Sequence, residues 1–529
     1  MDPHRAGHRR GVVCAPHFAA VQTGRTVLAE GGNAIEAMVA MAASIAAVYP
    51  HMNHLGGDGF WLIREPGGRV RAIMAAGPAG AQARPELYCD YETIPPRGPL
   101  AALTVPGAVA GWMLALEAAK AYGGKLPLDI LFAPAVAQAG GGYAVTRSQA
   151  RLTQDHIAEL QDAPGFTATF LLDGKAPAVG DILRQDALAA TLSHLAHAGL
   201  DDFYRGDVGR EIGADLDRIH SPVTRLDLER YRATLTEPLR VTLPSGTVYN
   251  TDAPTQGVAS LMILALFARL NVTEAEGFDH VHGLVEAAKR ALRMRDRVVT
   301  DPKYLAHSLN RVLDDRTIAG EAMKIDRKKA ARWPLGAGSG DTIWMGAADS
   351  DGLVVSYIQS LYWEFGSGCV LPATGVLMQN RGASFSLAAG ALNYLVPGRL
   401  PFHTLNPALA VLNDGRIMAF GCMGGDGQPQ TQAALFTRYV DFGLPLAEAL
   451  DRPRWVLGRT WGAPRTALRL EPRFGEAVID ALMSAGHDVD VLSEPYSDVM
   501  GHAGAAVLHP NGTCEAAHDP RADGGAAGL

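Results

Sequence analysis

Cysteine is scarce in this 529-residue chain. Its five cysteines (Cys14, Cys89, Cys369, Cys422 and Cys514) are scattered, odd in number and free of any CxxC spacing. That pattern excludes a disulfide framework and favours a reducing compartment. Positive charge is also short: the formal net charge is −8, which disfavours nonspecific binding to nucleic acid or to an anionic membrane. Long apolar runs are missing. The most apolar stretches, "AIEAMVAMAASIAAVYP" and "VASLMILALFARL", are too short or carry a charge, so buried helices are expected rather than membrane spans. The start, "MDPHRAGHRRGVVCAPH", is polar and basic with no apolar segment behind it. The expectation is a cytoplasmic protein without a secretion signal.

What is present describes an ordinary globular chain, with 48% hydrophobic and 19% charged residues. Helical apolar spacing runs through 17–30, with Gly31-Gly32 as a stop, and again through "NAIEAMVAMAASIAAVY". "GGDGFWLIREPGGRVRAIMAAG" and "LRVTLPSGTVYNTD" read as hairpins. Residues 105–160 and 185–235 read mainly as helices, and so do "VASLMILALFARLN" and "DHVHGLVEAAKRALRMRDRVV". After about residue 303 the chain turns polar and basic, which predicts an exposed connector. Strand-like runs follow it: "DTIWMGAA", "GLVVSYIQSLY", "GVLMQN", "PALAVLNDGRIMAFGC" and "GAAVLHPNG". Helical layers before and after, with strands between, predict an α+β sandwich rather than separate domains. No repeat at solenoid periods occurs.

Several patterns lead nowhere. His51 with His54, and His280 with His282, lack the third and fourth ligands that zinc needs, so no metal is expected and the rings should make caps or polar core contacts. "GGDGF" and "GAGSGD" lack the Lys-Ser/Thr of a phosphate loop and the frame of a dinucleotide site. No GxSxG elbow is present. No cofactor is expected.

Three elements remain. In "GSGDTIWMGAADSDG" (338–352) a glycine-rich run meets Asp341-Thr342 and turns into an alternating stretch, with Ile343, Met345 and Ala347 on one face. This is either a loop entering a strand or a concealed N-terminus. The second element is "NRGASFS" (380–386). The third, "PFHTLNPALAVLNDGRIMAFGCMGGDGQPQTQ" (401–432), places Gly424-Gly425 where a strand should end. Paired glycines make either a tight turn or a site where backbone N–H groups approach a ligand closely.

With "GGNAIEAMVAMAASIAAVYPHMNHLGGDGF" (31–60), "VPGAVAGW" (105–112) and "AAHDPRADGGAAG" near the C-terminus, these blocks together resemble the γ-glutamyltransferases, N-terminal nucleophile hydrolases. The likeness runs in order from about residue 11 to 528. It implies a four-layer αββα sandwich and self-cleavage at Asp341–Thr342. Residues 1–341 would become a large subunit and 342–529 a small one, both held in one αββα domain. Thr342 would be the nucleophile, with its own freed α-amine as base (pKa about 7.7–8.0 if unperturbed). The glycines ahead of it, Gly338 and Gly340, would let the scissile bond bend. Ser360 falls where the family places a threonine that hydrogen-bonds the nucleophile. Gly424 and Gly425 would hold the oxyanion with their N–H groups.

The departures set the substrate. Met74 stands where the family's arginine would hold a glutamyl carboxylate, Ser384 replaces an acidic binder of the α-amino group, and His403-Thr404 replaces a serine pair. Arg381 appears instead, a candidate carboxylate anchor, with Tyr362, His403 and Thr404 as further substrate-binding candidates. "NRGASFS", "PFHTLNP" and "GGDGQPQ" resemble the subgroup with oxamate amidohydrolase and cephalosporin acylases. The reading is therefore an amidohydrolase for a small carboxylate-bearing acyl group, oxamate-like or glutaryl-type. Its alternatives are a γ-glutamyl hydrolase or transferase acting on glutathione-like substrates, and an inactive scaffold. The expected partners are a small carboxylated amide and the two fragments themselves, with no nucleic acid and no membrane, and with room for a higher oligomer.

Overall fold

The computed structural model describes residues 4–333, 341–458 and 467–529, and of Asp341 the backbone alone. Gly338 and Gly340 lie outside these residues. The frame is two seven-stranded antiparallel sheets stacked face to face. The first runs, edge to edge, through Arg5–His8, Cys514–His518, Ala503–Leu508, Ile417–Cys422, Ala408–Leu412, Gly246–Asn250 and Leu239–Leu243. The second runs through Gly525–Gly528, Gly11–Ala15, Asp341–Asp349, Val354–Tyr362, Asp58–Arg64, Val70–Ala75 and Thr234–Thr236.

Alternation along the strands explains the layering. Successive side chains point to opposite faces of a sheet. In the second sheet Trp61, Ile63, Ile343, Met345, Ala347, Val355 and Tyr357 join the core beneath the helices Phe18–Ala29, Ala34–Val48, Ala108–Lys120, Leu128–Gly141 and Asp186–Ala198. Their neighbours Phe60, Leu62, Trp344, Ala348, Val354 and Ile358 instead meet Leu409, Ala419 and Ala506 of the first sheet. The first sheet's other face packs on helices Gly257–Ala268, Phe278–Val298 and Gln428–Phe436. The result is the expected αββα sandwich. Helix Ala34–Val48 is buried all round, as its apolar composition requires, and a capping box of Asn33 and Glu36 starts it.

Two expectations are corrected. "GVLMQN" is not a strand of either sheet; Leu377 and Met378 make only isolated bridges, to Val370 and Gly56. The polar stretch after residue 303 is not a bare connector either. It folds a helix, Asp315–Ala322, and buries Leu309, Ile318 and Ile325. Those apolar residues sit at wide spacing, so composition masked them. All five cysteines are free, and no described helix is long and apolar enough to cross a membrane.

Candidate active site

Thr342 sits at the start of strand Asp341–Asp349 and is 1% exposed. Opposite it the pairing slips. Asp341 pairs with Tyr362 and Ile343 with Gln359, so Thr342 alone faces Ser360 and Leu361. Such bulges re-aim side chains at the ends of a ladder. Ser360 in turn pairs with Asp58 on the next strand. By strand parity Thr342, Ser360 and Asp58 share the inter-sheet face with Trp344, Ile358 and Phe60, and Asp58 lies about 10 Å, two strand spacings, from Thr342. Gln428 Nε2 donates to Thr342 Oγ1 at 3.4 Å, and Ser360 Oγ accepts from the Tyr362 N–H at 2.8 Å.

Gly424 and Gly425 close the end of strand Ile417–Cys422. Gly424 has φ +117 and Gly425 φ +53, conformations that L side chains rarely adopt. Among the described residues neither N–H is engaged by a chain acceptor. Their turn is held from behind. Gln256 Nε2 donates to Gly425 O at 2.8 Å and to Thr404 O at 2.6 Å, so it ties the glycine turn to the His403 loop. Buried Arg295 binds Gln256 Oε1 and Asp426 Oδ1, both at 2.6 Å. The Asp426 carboxylate raises the Arg295 pKa against the opposing cost of burial.

Arg381 opens a short 3-10 turn, Arg381–Ser384, and is entirely buried. Its Cζ lies 4.0 Å above the Tyr362 ring, and its Nη1 reaches Thr404 Oγ1 at 3.5 Å. Among the described residues Nε and Nη2 find no hydrogen-bond partner, and no carboxylate comes within ion-pair distance. Burial lowers its pKa to about 10, with the Tyr362 phenol and Asp58 pulling the other way. Tyr362 itself has φ +88, a strained setting for a bulky residue. Ser384 Oγ donates to Phe402 O at 3.1 Å and so joins the turn to the next loop. Met74 pairs with Phe60 and is buried between the sheets.

His403 is fully buried, edge-on to Phe60 at 4.9 Å, with both ring nitrogens lacking hydrogen-bond partners. Its Nε2 is 3.5 Å from Asp58 Oδ2, close enough for attraction but out of line for a hydrogen bond. Burial, and then the Arg381 charge, hold its pKa well below the ordinary imidazole value. Asp58 was not foreseen. Its Oδ1 accepts from Gly77 N at 2.9 Å and Gly107 N at 3.0 Å. A Cβ on Gly107 would lie 2.7 Å from that oxygen, so only glycine lets the backbone approach. Burial pushes the Asp58 carboxyl up to about 7 against these N–H groups and Arg381.

The described candidates Thr342, Ser360, Tyr362, Arg381, His403 and Thr404, with the Gly424-Gly425 turn, thus lie on this face or its flanking loops, and the Asp341 side chain lies outside the described residues. Asp58, Gln256, Arg295, Asp426 and Gln428 were missed. Three of them, Asp58, Asp426 and Gln428, stand in plain sight in "GGDGF" and "GGDGQ", beside the glycines that draw the eye. The other histidines make polar core contacts. His51 bonds Ser148 Oγ at 3.1 Å, His54 Nδ1 accepts from Leu377 N at 3.1 Å, and His280 bonds Thr437 Oγ1 at 2.9 Å. His282 does meet two more potential ligands, Glu286 and His487. There, however, Lys289 Nζ is the resident cation, 2.7 Å from Glu286 Oε1 and 3.5 Å from His487 Nδ1. His487 Nε2 then lies 2.9 Å from His282 Nδ1, and His282 Nε2 2.8 Å from Asp326 O. That chain uses every ring nitrogen.

Known proteins share this arrangement of chain. The sequence is 51% identical over 520 residues to oxamate amidohydrolase proenzyme of Klebsiella pneumoniae, covering 98% of each chain. It is 38% identical to the glutathione hydrolase-like YwrD proenzyme of Bacillus subtilis, again over 98% of each. The fold superposes on cephalosporin acylase from Bacillus halodurans with a TM-score of 0.91 at 31% identity, over 100% of this chain and 97% of that one. The model of the gamma-glutamyltranspeptidase family matches residues 20–529, and the chain belongs to that family.

Proposed function

We propose that this protein is a self-processing amidohydrolase that cuts the amide of a small carboxylate-bearing acyl group, oxamate-like before glutaryl-type, through an acyl-Thr342 intermediate. One observation carries the substrate class: Arg381, a wholly buried guanidinium with two nitrogens that have no hydrogen-bond partner among the described residues. A buried charge is costly unless paired, and a guanidinium matches a carboxylate with two parallel hydrogen bonds. The relative named for oxamate supports the same class.

In processing, Thr342 Oγ attacks the Asp341 carbonyl and the C–N bond breaks, so the peptide becomes an ester and the Thr342 α-amine is freed; water then cleaves the ester, which releases the Asp341 carboxylate and restores the Thr342 hydroxyl. In turnover that amine takes the hydroxyl proton as Oγ adds to the substrate carbonyl. The Gly424 and Gly425 N–H groups receive the oxyanion, and the leaving nitrogen takes the proton as the C–N bond breaks. Water then releases the acid from the ester. Ser360 orients the nucleophile; Arg381, with Tyr362, His403 and Thr404 around it, fixes the acyl carboxylate.

The relative named glutathione hydrolase-like keeps a γ-glutamyl reading open as a second one. Met74 and Ser384 count against it, since neither carries a charge to pair with the carboxylate or the ammonium of a glutamyl head. Purified protein should release ammonia from oxamate, or amine from a glutaryl amide, faster than it cleaves glutathione. Cleavage of glutathione with no turnover of the other two would reverse the assignment.

A further inference from the structure

We propose that Asp58 takes up one proton when a substrate carboxylate binds Arg381, so that the site's affinity for anionic acyl groups is set by a second, proton-carrying carboxyl. The inference rests on the reading of Arg381 as the carboxylate anchor. Three chain segments bring unpartnered buried polar atoms to one place: Asp58 Oδ2, Arg381 Nε and Nη2, and both ring nitrogens of His403. All three residues are 0% exposed. Native interiors seldom leave several such groups together, because each unmet donor or acceptor is costly.

Their charges interlock. The groups that face Asp58 are the Arg381 guanidinium, the His403 ring, the Gln379 amide and the phenols of Tyr204, Tyr231 and Tyr357. Burial raises the pKa of all three phenols, which keeps them neutral. Burial and Arg381 keep His403 neutral as well. With Asp58 ionised and no substrate, Arg381 and Asp58 balance. A bound carboxylate makes two anions against one cation in an enclosed space, and like charges sharing a site raise the pKa of one of them. The substrate acid is held by two guanidinium hydrogen bonds, so the proton goes to Asp58, whose Oδ2 accepts no hydrogen bond. His403 can follow it once its ring, now 3.5 Å away and out of line, turns toward Oδ2: neutral imidazole can donate from Nε2 to the ionised carboxylate, or accept there from the protonated one.

The sign follows by linkage. Asp58 has a free-state pKa of about 7 and a higher one in the complex. Below the free value Asp58 is already protonated, and binding is at its strongest. Between the two values binding draws in a proton, and affinity falls by up to about tenfold per pH unit as pH rises.

The test is calorimetric titration of the processed enzyme with oxalate, the acid that oxamate hydrolysis releases, at pH 8 in phosphate and in Tris. The two buffers differ in ionisation enthalpy, so the difference in heat counts protons. Wild type should take up about one proton per oxalate at pH 8 and far less at pH 6, and Asp58→Asn should take up none. Asparagine keeps the oxygen that Gly77 and Gly107 address. Uptake that persists in Asp58→Asn would assign the proton to another group, such as the Thr342 amine, and overturn the inference. Binding by wild type without uptake at pH 8 overturns it without any variant. Arg381→Ala separates the two ideas. If it binds oxalate as well as wild type does, or if wild type does not bind, the anchor reading itself falls. If binding is lost in Arg381→Ala yet uptake does not depend on Asp58, the proton coupling alone is wrong.

Discussion

At the scale of single residues, Arg381 is the group whose surroundings make the sharpest demand. Its charge is buried against the Tyr362 ring, and one long contact to Thr404 is its only hydrogen bond among the described residues. A cation over an aromatic face is attracted to it, but this replaces only part of the lost hydration. Truncating one partner of a buried, hydrogen-bonded charge pair costs about 2–5 kcal/mol. Arg381→Ala should therefore lower kcat/KM on a carboxylated amide by about 30-fold or more. Arg381→Lys should recover part of that, since an ammonium keeps the attraction without the fork. An uncharged amide of similar size should be a poor substrate for both wild type and Arg381→Ala. Autoprocessing should survive, because its substrate would be the backbone at Asp341–Thr342. Equal losses on charged and neutral amides would make the arginine a packing element.

At the scale of elements, the site is made by strand ends rather than by helices, and this decides what could be read in advance. Strand Ile417–Cys422 ends in the Gly424 turn, which leads through a 3-10 turn into helix Gln428–Phe436. A Cβ on Gly424 would find room, with Gly501 Cα the nearest atom at 3.4 Å, so the penalty of alanine there is conformational. A left-handed backbone costs a non-glycine residue about 1–2 kcal/mol, and relief of that strain would turn the N–H away. Gly424→Ala should thus lower kcat by about 10²–10³-fold, the usual loss for one oxyanion donor, with only a small drop in Tm. An unchanged kcat would remove this turn from the mechanism. Both hairpins, four of the five strand-like runs after residue 340 and the buried helix Ala34–Val48 were legible, because period and turn residues are local signals. The stretch "GVLMQN" was misread because an apolar run buried in a loop looks like a strand. Asp58 and Asp426 escaped notice for a different reason. A carboxylate among glycines has no periodicity, and its meaning arises only when Gly77, Gly107 or Arg295 arrives from elsewhere in the chain.

At the scale of the whole molecule, the position of Thr342 in the sheet order carries a consequence for the cleaved protein. In the second sheet, strands from before and after the Asp341–Thr342 bond alternate: Gly525–Gly528, then Gly11–Ala15, then Asp341–Asp349 and Val354–Tyr362, then Asp58–Arg64. The first sheet does the same, with Arg5–His8 beside Cys514–His518 at one side and Ala408–Leu412 beside Gly246–Asn250 at the other. Cutting the chain at Thr342 would therefore break one covalent bond and leave every ladder paired. To part the fragments, several backbone ladders and the inter-sheet core of Phe60, Trp344 and Leu409 would have to open together. Such exposure amounts to global unfolding. The purified protein should accordingly run as two bands under denaturing conditions, of 341 and 529 − 341 = 188 residues, while a native sizing column gives one peak containing both. The smaller band should begin Thr-Ile-Trp-Met. Thr342→Ala should stay a single chain, fold with a similar far-UV spectrum and lack activity, because the same hydroxyl would serve both processing and turnover. Full activity in Thr342→Ala, or fragments that separate without denaturant, would contradict this account of how the nucleophile is exposed while the fold holds.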